Sequence, residues 1–140
     1  MDLAFRMLAR RARSEGEVAR ALAERGAGKT VVRGVLGRLR ALGYIDDRKF
    51  AAECAERWKE RGFGSLRILD QLRRLRVEEG VAERVTPGAR EERDLARRVL
   101  ARHFGTGGVA DRRGMARAAR FLAGRGFAAE VIDSLFDPWE

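Results

Sequence analysis

Leu22-Ala-Glu-Arg-Gly-Ala27 is followed fifty residues later by Leu72-Arg-Arg-Leu-Arg-Val77, and fifty later again by Leu122-Ala-Gly-Arg-Gly-Phe127. The register holds on both sides of these anchors. Upstream, Val18, Ile68 and Ala118 align, then Ala19, Leu69 and Ala119; downstream, Val31, Val81 and Val131 align, then Val35, Val85 and Leu135. Self-similarity at a fixed period is the mark of a repeat architecture. Within each copy the apolar residues keep helical spacing, which predicts three helices per copy.

In the first copy, Ser14 and Glu17 form a capping box that opens a helix with Val18, Ala21 and Leu22 inward, ending at Gly26. The next helix puts Val31, Val32, Val35, Leu36, Leu39 and Leu42 on one face before Gly43, and a short helix from Asp2 to about Arg11 completes the set. The second copy opens after Asp46 and Asp47, whose side chains can cap, and turns Phe50, Ala51, Cys54, Ala55 and Trp58 inward. Gly62 and Gly64 bracket its turn, Leu66, Ile68, Leu69, Leu72 and Leu75 form the next face, and a short helix from Glu78 to Val85 stops before Pro87-Gly88. The third copy carries Leu95, Ala96, Val99 and Leu100, a glycine-rich loop from Gly105 to Gly108, then Met115, Ala118, Ala119 and Leu122. Val131, Ile132, Leu135 and Phe136 follow, leaving residues 137–140 as a loose end. The expected fold is all-α: three tandem three-helix repeats, residues 1–45, 46–87 and 88–140, stacked as an elongated, curved solenoid, since one such unit cannot bury both sides of its helices alone.

Composition agrees, with two prolines and one tyrosine among many alanines, arginines, leucines and glutamates. Thirty basic against 21 acidic residues leave a net charge of +9, which favours a polyanionic partner, either nucleic acid or an acidic protein surface. The excess is uneven. Each repeat holds ten basic residues, but the acidic counts are four, nine and eight, so the repeats carry +6, +1 and +2. Arginines recur at helical spacing in three stripes: Arg6, Arg10 and Arg13; Arg67 and Arg74 with Gln71 between them; and Arg113, Arg117 and Arg120. These arginines are the candidate contacts, because a guanidinium pairs in bidentate fashion with carboxylate or phosphate.

Catalytic patterns are thin. Gly28-Lys29-Thr30 matches the end of a phosphate-binding loop, but that loop needs a buried strand before it, and Glu17 to Arg25 reads as an amphipathic helix. His103, the one histidine, reads as a boundary-packing residue beside Phe104, and it has no nucleophile pattern nearby. With Cys54 it supplies too few ligands for a zinc site. The sequence therefore predicts a non-enzyme with no cofactor and no metal. A single cysteine, no apolar run long enough to span a bilayer and no signal-peptide pattern predict a cytoplasmic protein without membrane contact. A monomer is expected.

The run Leu39-Arg-Ala-Leu-Gly-Tyr-Ile-Asp-Asp-Arg-Lys-Phe-Ala51 resembles the signature of the RecX family of bacterial recombination regulators. Gly43, Tyr44, Asp46, Asp47 and Phe50 carry that likeness, and Arg61-Gly-Phe-Gly64 is similar to the family's turn at Gly62 and Gly64. Ser14 with Glu17-Val18, and Phe121-Leu122 with Arg125-Gly-Phe127, extend it over nearly the whole chain. The chain departs from the family where Arg76 stands in place of a glycine, and where Gly28 and Ala128 stand in place of aspartates. The resemblance implies a modulator of the RecA–DNA filament that mainly inhibits recombinase, ATPase and coprotease activity, with single- or double-stranded DNA as a further partner. The competing reading is a basic helix-turn-helix DNA-binding protein, but its recognition helix, Thr30 to Leu42, offers Arg33, Arg38 and Arg40 without Asn or Gln.

Overall fold

The computed structural model describes residues 1–105 and 111–136; the stretch from 106 to 108 of the expected glycine loop, and the expected loose end, lie outside the described residues. Among the described residues there are nine helices and no strand: α1 Asp2–Arg10, α2 Glu15–Glu24, α3 Lys29–Ala41, α4 Asp47–Glu60, α5 Ser65–Arg74, α6 Glu79–Val85, α7 Ala89–Phe104, α8 Arg112–Gly124 and α9 Ala129–Leu135. The all-α expectation holds. No helix among the described residues is long and apolar enough to cross a membrane.

The helices pack as two compact units. The first comprises residues 1–54 and 71–85, the second 55–70 and 86–140, so that α4 and α5 each contribute to both. In the first unit α2 packs on α1 and α3 around Ala4, Val18, Leu22, Leu39 and Ile45. In the second, α7, α8 and α9 pack on one another around Leu95, Ala96, Val99, Leu122, Phe127, Val131 and Ile132. Val18, Leu22 and Leu39 in the first core and Leu95, Ala96, Val99, Leu122, Val131 and Ile132 in the second lie on the expected inward faces, while Ala4, Ile45 and Phe127 join them without having been foreseen; non-polar area removed from water is what holds both cores.

Four expected core residues are exposed instead: Val31, Leu42, Leu66 and Met115. At 3.6 residues per turn Val31 sits about 80° round α3 from Leu39, and Leu66 about 120° round α5 from Leu72, so neither lies within its buried stripe. Leu42 is the residue that ends α3, and Met115 sits in the first turn of α8, next to buried Gly114 but itself outside the core.

The C-termini of α2, α3, α4, α5 and α8 share one scheme, and α2 also has a built N-terminus. Ser14 and Glu17 form the reciprocal capping box on α2. At the other ends, Ala27, Tyr44, Phe63, Val77 and Phe127 each donate a backbone N–H to the carbonyl five residues back, and the residue before each has positive φ. Four of those five are glycine; the fifth is Arg76, at φ 60°. A side chain in the left-handed region costs about 1–2 kcal/mol. Arg76→Gly is therefore expected to raise stability by about 1 kcal/mol in urea unfolding. An unchanged or lower urea midpoint refutes that account of Arg76.

Candidate functional site

In the first unit, Arg6 and Arg10 are exposed on α1. Neither side chain makes a hydrogen bond or ion pair among the described residues. Arg13, the third of that stripe, folds back. Its Nε donates to the Met7 carbonyl at 3.4 Å and its guanidinium lies 4.0 Å from Glu17, leaving it half-buried. In the second unit, Arg113, Arg117 and Arg120 are exposed along α8. Arg67 is exposed too, but its guanidinium lies 4.6 Å over the Phe63 ring. Arg74 is exposed at the end of α5.

A groove of about 590 Å³ in the first unit was not foreseen from sequence. Ala19, Ala23, Ala27, Val32 and Leu36 supply apolar walls, Arg20, Lys29, Arg33 and Arg76 supply cations, and no carboxylate lines it. Of these, Arg20 is paired with Glu24 at 2.9 Å. Gly28 precedes α3 and Lys29 and Thr30 start it, directly after helix α2, so this segment is a helix entry and not a strand-borne phosphate loop.

The signature residues build helix junctions. Gly43 ends α3 at φ 79°, and exposed Tyr44 stands edge-on to Phe5 with ring centroids 5.3 Å apart. Asp46 accepts from the Lys49 N–H at the start of α4, as expected of a cap. Asp47 reaches further, accepting the Glu15 N–H at 2.8 Å, while Ser14 Oγ donates to the Leu75 carbonyl. Phe50 is buried. In the second unit Gly62 ends α4, the Gly64 N–H donates to the Arg125 carbonyl at 2.9 Å, and the Ser65 N–H donates to Glu92 at 2.7 Å. The joint at residues 14, 15 and 75 thus has a counterpart at 64, 65 and 125, with two differences: the Ser14 hydroxyl is answered by the Gly64 N–H, and the accepting acids, Asp47 and Glu92, are 45 residues apart.

Glu92 escaped sequence reasoning. It is 2% exposed, and the same oxygen also accepts the Ala128 N–H at 3.2 Å. That bond serves the N-terminus of α9, where Ala128 has no capping side chain of its own. Its only sequence signal was an acidic residue in the first turn of α7, which ordinary dipole stabilisation explains as well.

Burial pushes the Asp47 carboxyl above its usual range; the Glu15 N–H opposes this, and the charges of Glu15, Asp46 and Glu78 add to it. A raised native value means that this group's contribution is fully present below the unfolded value and is lost as pH rises through the folded one. Asp47→Asn is thus expected to be more favourable, relative to the parent, at pH 7 than at pH 4, in paired urea titrations. The opposite trend would overturn this assignment.

Comparison with known proteins agrees with the signature. The first three-helix domain of RecX matches residues 1–39, and the third matches residues 91–136. Regulatory protein RecX of Halorhodospira halophila is 40% identical over 132 residues, covering 94% of this chain and 82% of the relative. Its namesake from Thermus thermophilus is 40% identical over 128 residues, covering 91% and 83%. The crystal structure of RecX from Lactobacillus salivarius superposes with a TM-score of 0.79 at 18% identity, over 96% of this chain and 90% of that one, a likeness of fold. With identity of this extent over nearly its whole length, the chain belongs to the RecX family of regulatory proteins.

Proposed function

We propose that this protein binds the RecA–DNA filament and lowers its recombinase, ATPase and coprotease activity, acting as a cytoplasmic monomer of three repeats, residues 1–45, 46–87 and 88–140, and catalysing nothing itself. The observation that carries the reading is the carboxylate-free groove of the first unit, with its apolar walls and four cations, in a chain whose relatives bear the name of a regulatory protein. Such a surface suits an acidic protein segment that also offers apolar side chains. The exposed arginines of α1 and α8 add attraction to any polyanion. Cys54 is buried and is the one cysteine of the sequence; a chain with no second cysteine for an internal disulfide fits a reducing compartment.

The test adds the protein to filaments preformed on single-stranded DNA and follows ATP hydrolysis and joint-molecule formation. Inhibition is expected near equimolar protein, and Lys29→Glu/Arg33→Glu is expected to need about tenfold more, the equivalent of about 1.4 kcal/mol. No inhibition at equimolar protein sinks the reading. Sequence-selective binding to duplex DNA at moderate salt would favour the helix-turn-helix alternative.

A further inference from the structure

In each unit a turn residue of positive φ comes against the start of a helix: Arg76 against Gly16 in the first, Gly126 against Arg67 in the second. The approach leaves room for one side chain per pair. A Cβ on Gly126 would collide with Arg67 Cβ, and a Cβ on Gly16 would lie 2.6 Å from Arg76 Cβ and collide with the Arg76 carbonyl. In the second unit the glycine stands in the turn, where it also suits the left-handed backbone, so one residue answers both demands. In the first unit the glycine stands in α2 instead, and the turn keeps an arginine at φ 60°. Packing does not require that choice, since the second unit makes the same approach without strain. Strain that a fold can do without is characteristic of binding and switch positions.

Arg76 lines the groove of the first unit. It is exposed, and its side chain makes no hydrogen bond or ion pair among the described residues. The carboxylate of nearby Glu79 is taken by Arg73. Lys29 and Arg33 on the same groove are likewise exposed and have no ion pair among the described residues, whereas Arg20 is neutralised by Glu24.

Arg76 and Lys29 stand at opposite ends of the groove. Arg76 meets Gly16 in the first turn of α2. Lys29 opens α3 just beyond Ala27, whose N–H donates to the Leu22 carbonyl in the last turn of α2. Gly16 and Ala23 both line the groove, and between them α2 rises about 10 Å. Ala19, Val32 and Leu36 supply apolar surface in the same groove. On a partner helix that rise separates residues i and i+7, with i+3 and i+4 between them on the same face.

We propose that Arg76 is kept in its strained turn as a recognition residue of this groove, and that the groove takes an acidic amphipathic helix with carboxylates at i and i+7, one meeting Arg76 and the other Lys29. The inference rests on this groove being the docking surface of the function proposed above. It adds which residue reads the partner and how the partner's charges are spaced.

The probe is a fluorescein-labelled, alanine-based helical peptide with glutamates at i and i+7 and leucines at i+3 and i+4, followed by fluorescence anisotropy. Arg76→Gln keeps the strained turn and loses the charge; it is expected to weaken binding about tenfold, and Arg76→Lys to stay within about threefold of the parent. Arg76→Gly is expected to lose as much affinity as Arg76→Gln while its thermal midpoint rises, so that binding and stability move in opposite directions. Exchanging one peptide glutamate for glutamine should weaken binding to the parent and have no further effect on Arg76→Gln. The other glutamate should keep its effect there and lose it in Lys29→Ala.

Arg84→Ala removes an equal charge from the same unit outside the groove and is expected to bind within about twofold of the parent. The inference is overturned if Arg76→Gln binds like the parent, if Arg84→Ala loses as much affinity, or if the parent fails to bind the peptide at millimolar concentration. Peptide binding that ignores Arg76, in a protein that inhibits filaments, would sink this inference alone. Peptide binding that depends on Arg76, in a protein that leaves filaments untouched, would sink the filament reading alone.

Discussion

Glu92→Ala is expected to destabilise the second unit by about 2–5 kcal/mol, because it strips two backbone N–H groups, Ser65 and Ala128, of the acceptor they share. An interior donor left without a partner costs about 1–3 kcal/mol, and two are affected here. The carboxylate has no cation paired with it among the described residues; its partners are the N–H groups at the starts of α5 and α9, where the helix dipole is positive. Glu92→Gln keeps an oxygen in place and is expected to stay within about 1 kcal/mol of the parent, since the dipole attraction it loses is of that order. Urea unfolding gives the ranking, and hydrogen exchange at the Ser65 and Ala128 amides gives the location. Parental stability in the alanine variant would show that these bonds contribute nothing net.

Gly126→Ala is expected to cost about 2–5 kcal/mol, against about 1–2 kcal/mol for Gly26→Ala. The two glycines, Gly126 and Gly26, occupy the same register two periods apart, at φ 86° and 90°. Both substitutions force a side chain into the left-handed region, but a Cβ at position 26 meets nothing within 4 Å, whereas one at 126 would collide with Arg67 Cβ and lie 2.8 Å from its backbone nitrogen. The difference between the two variants therefore isolates the close approach between the end of α8 and the start of α5. Equal losses in urea or thermal unfolding would mean that the second unit yields there without penalty.

The contrast between these residues shows what a sequence discloses. The helices were legible because they carry stripes of period 3.6 and several stop at a glycine, as at Gly26, Gly43 and Gly126, which are all at positive φ. Arg76, the position where a glycine was missing, keeps the same turn and bears the strain. Burial was less legible at helix margins: Val31 and Leu66 are as apolar as their neighbours, but the rotation about the axis leaves them outside. Long-range polar contacts were least legible. Nothing local distinguishes Glu92 from Glu91, yet one is buried against two helix starts and the other reaches Lys59 at the surface. Charge repeats the lesson, since Arg13 shares the spacing of Arg6 and Arg10 but spends its guanidinium on Glu17.

The joints at residues 14, 15 and 75 and at 64, 65 and 125 also bear on the order in which such a chain is completed. Each joint is closed by groups supplied from later in the sequence: Ser14 needs Leu75, Glu15 needs Asp47, and Ser65 needs Glu92. A chain cut short of residue 75 leaves the Ser14 hydroxyl without its acceptor, and one cut short of residue 92 leaves the Ser65 N–H without its own. Made from its N-terminus, the protein therefore completes its joints in order, the first once residue 75 is present and the second only once residue 125 is.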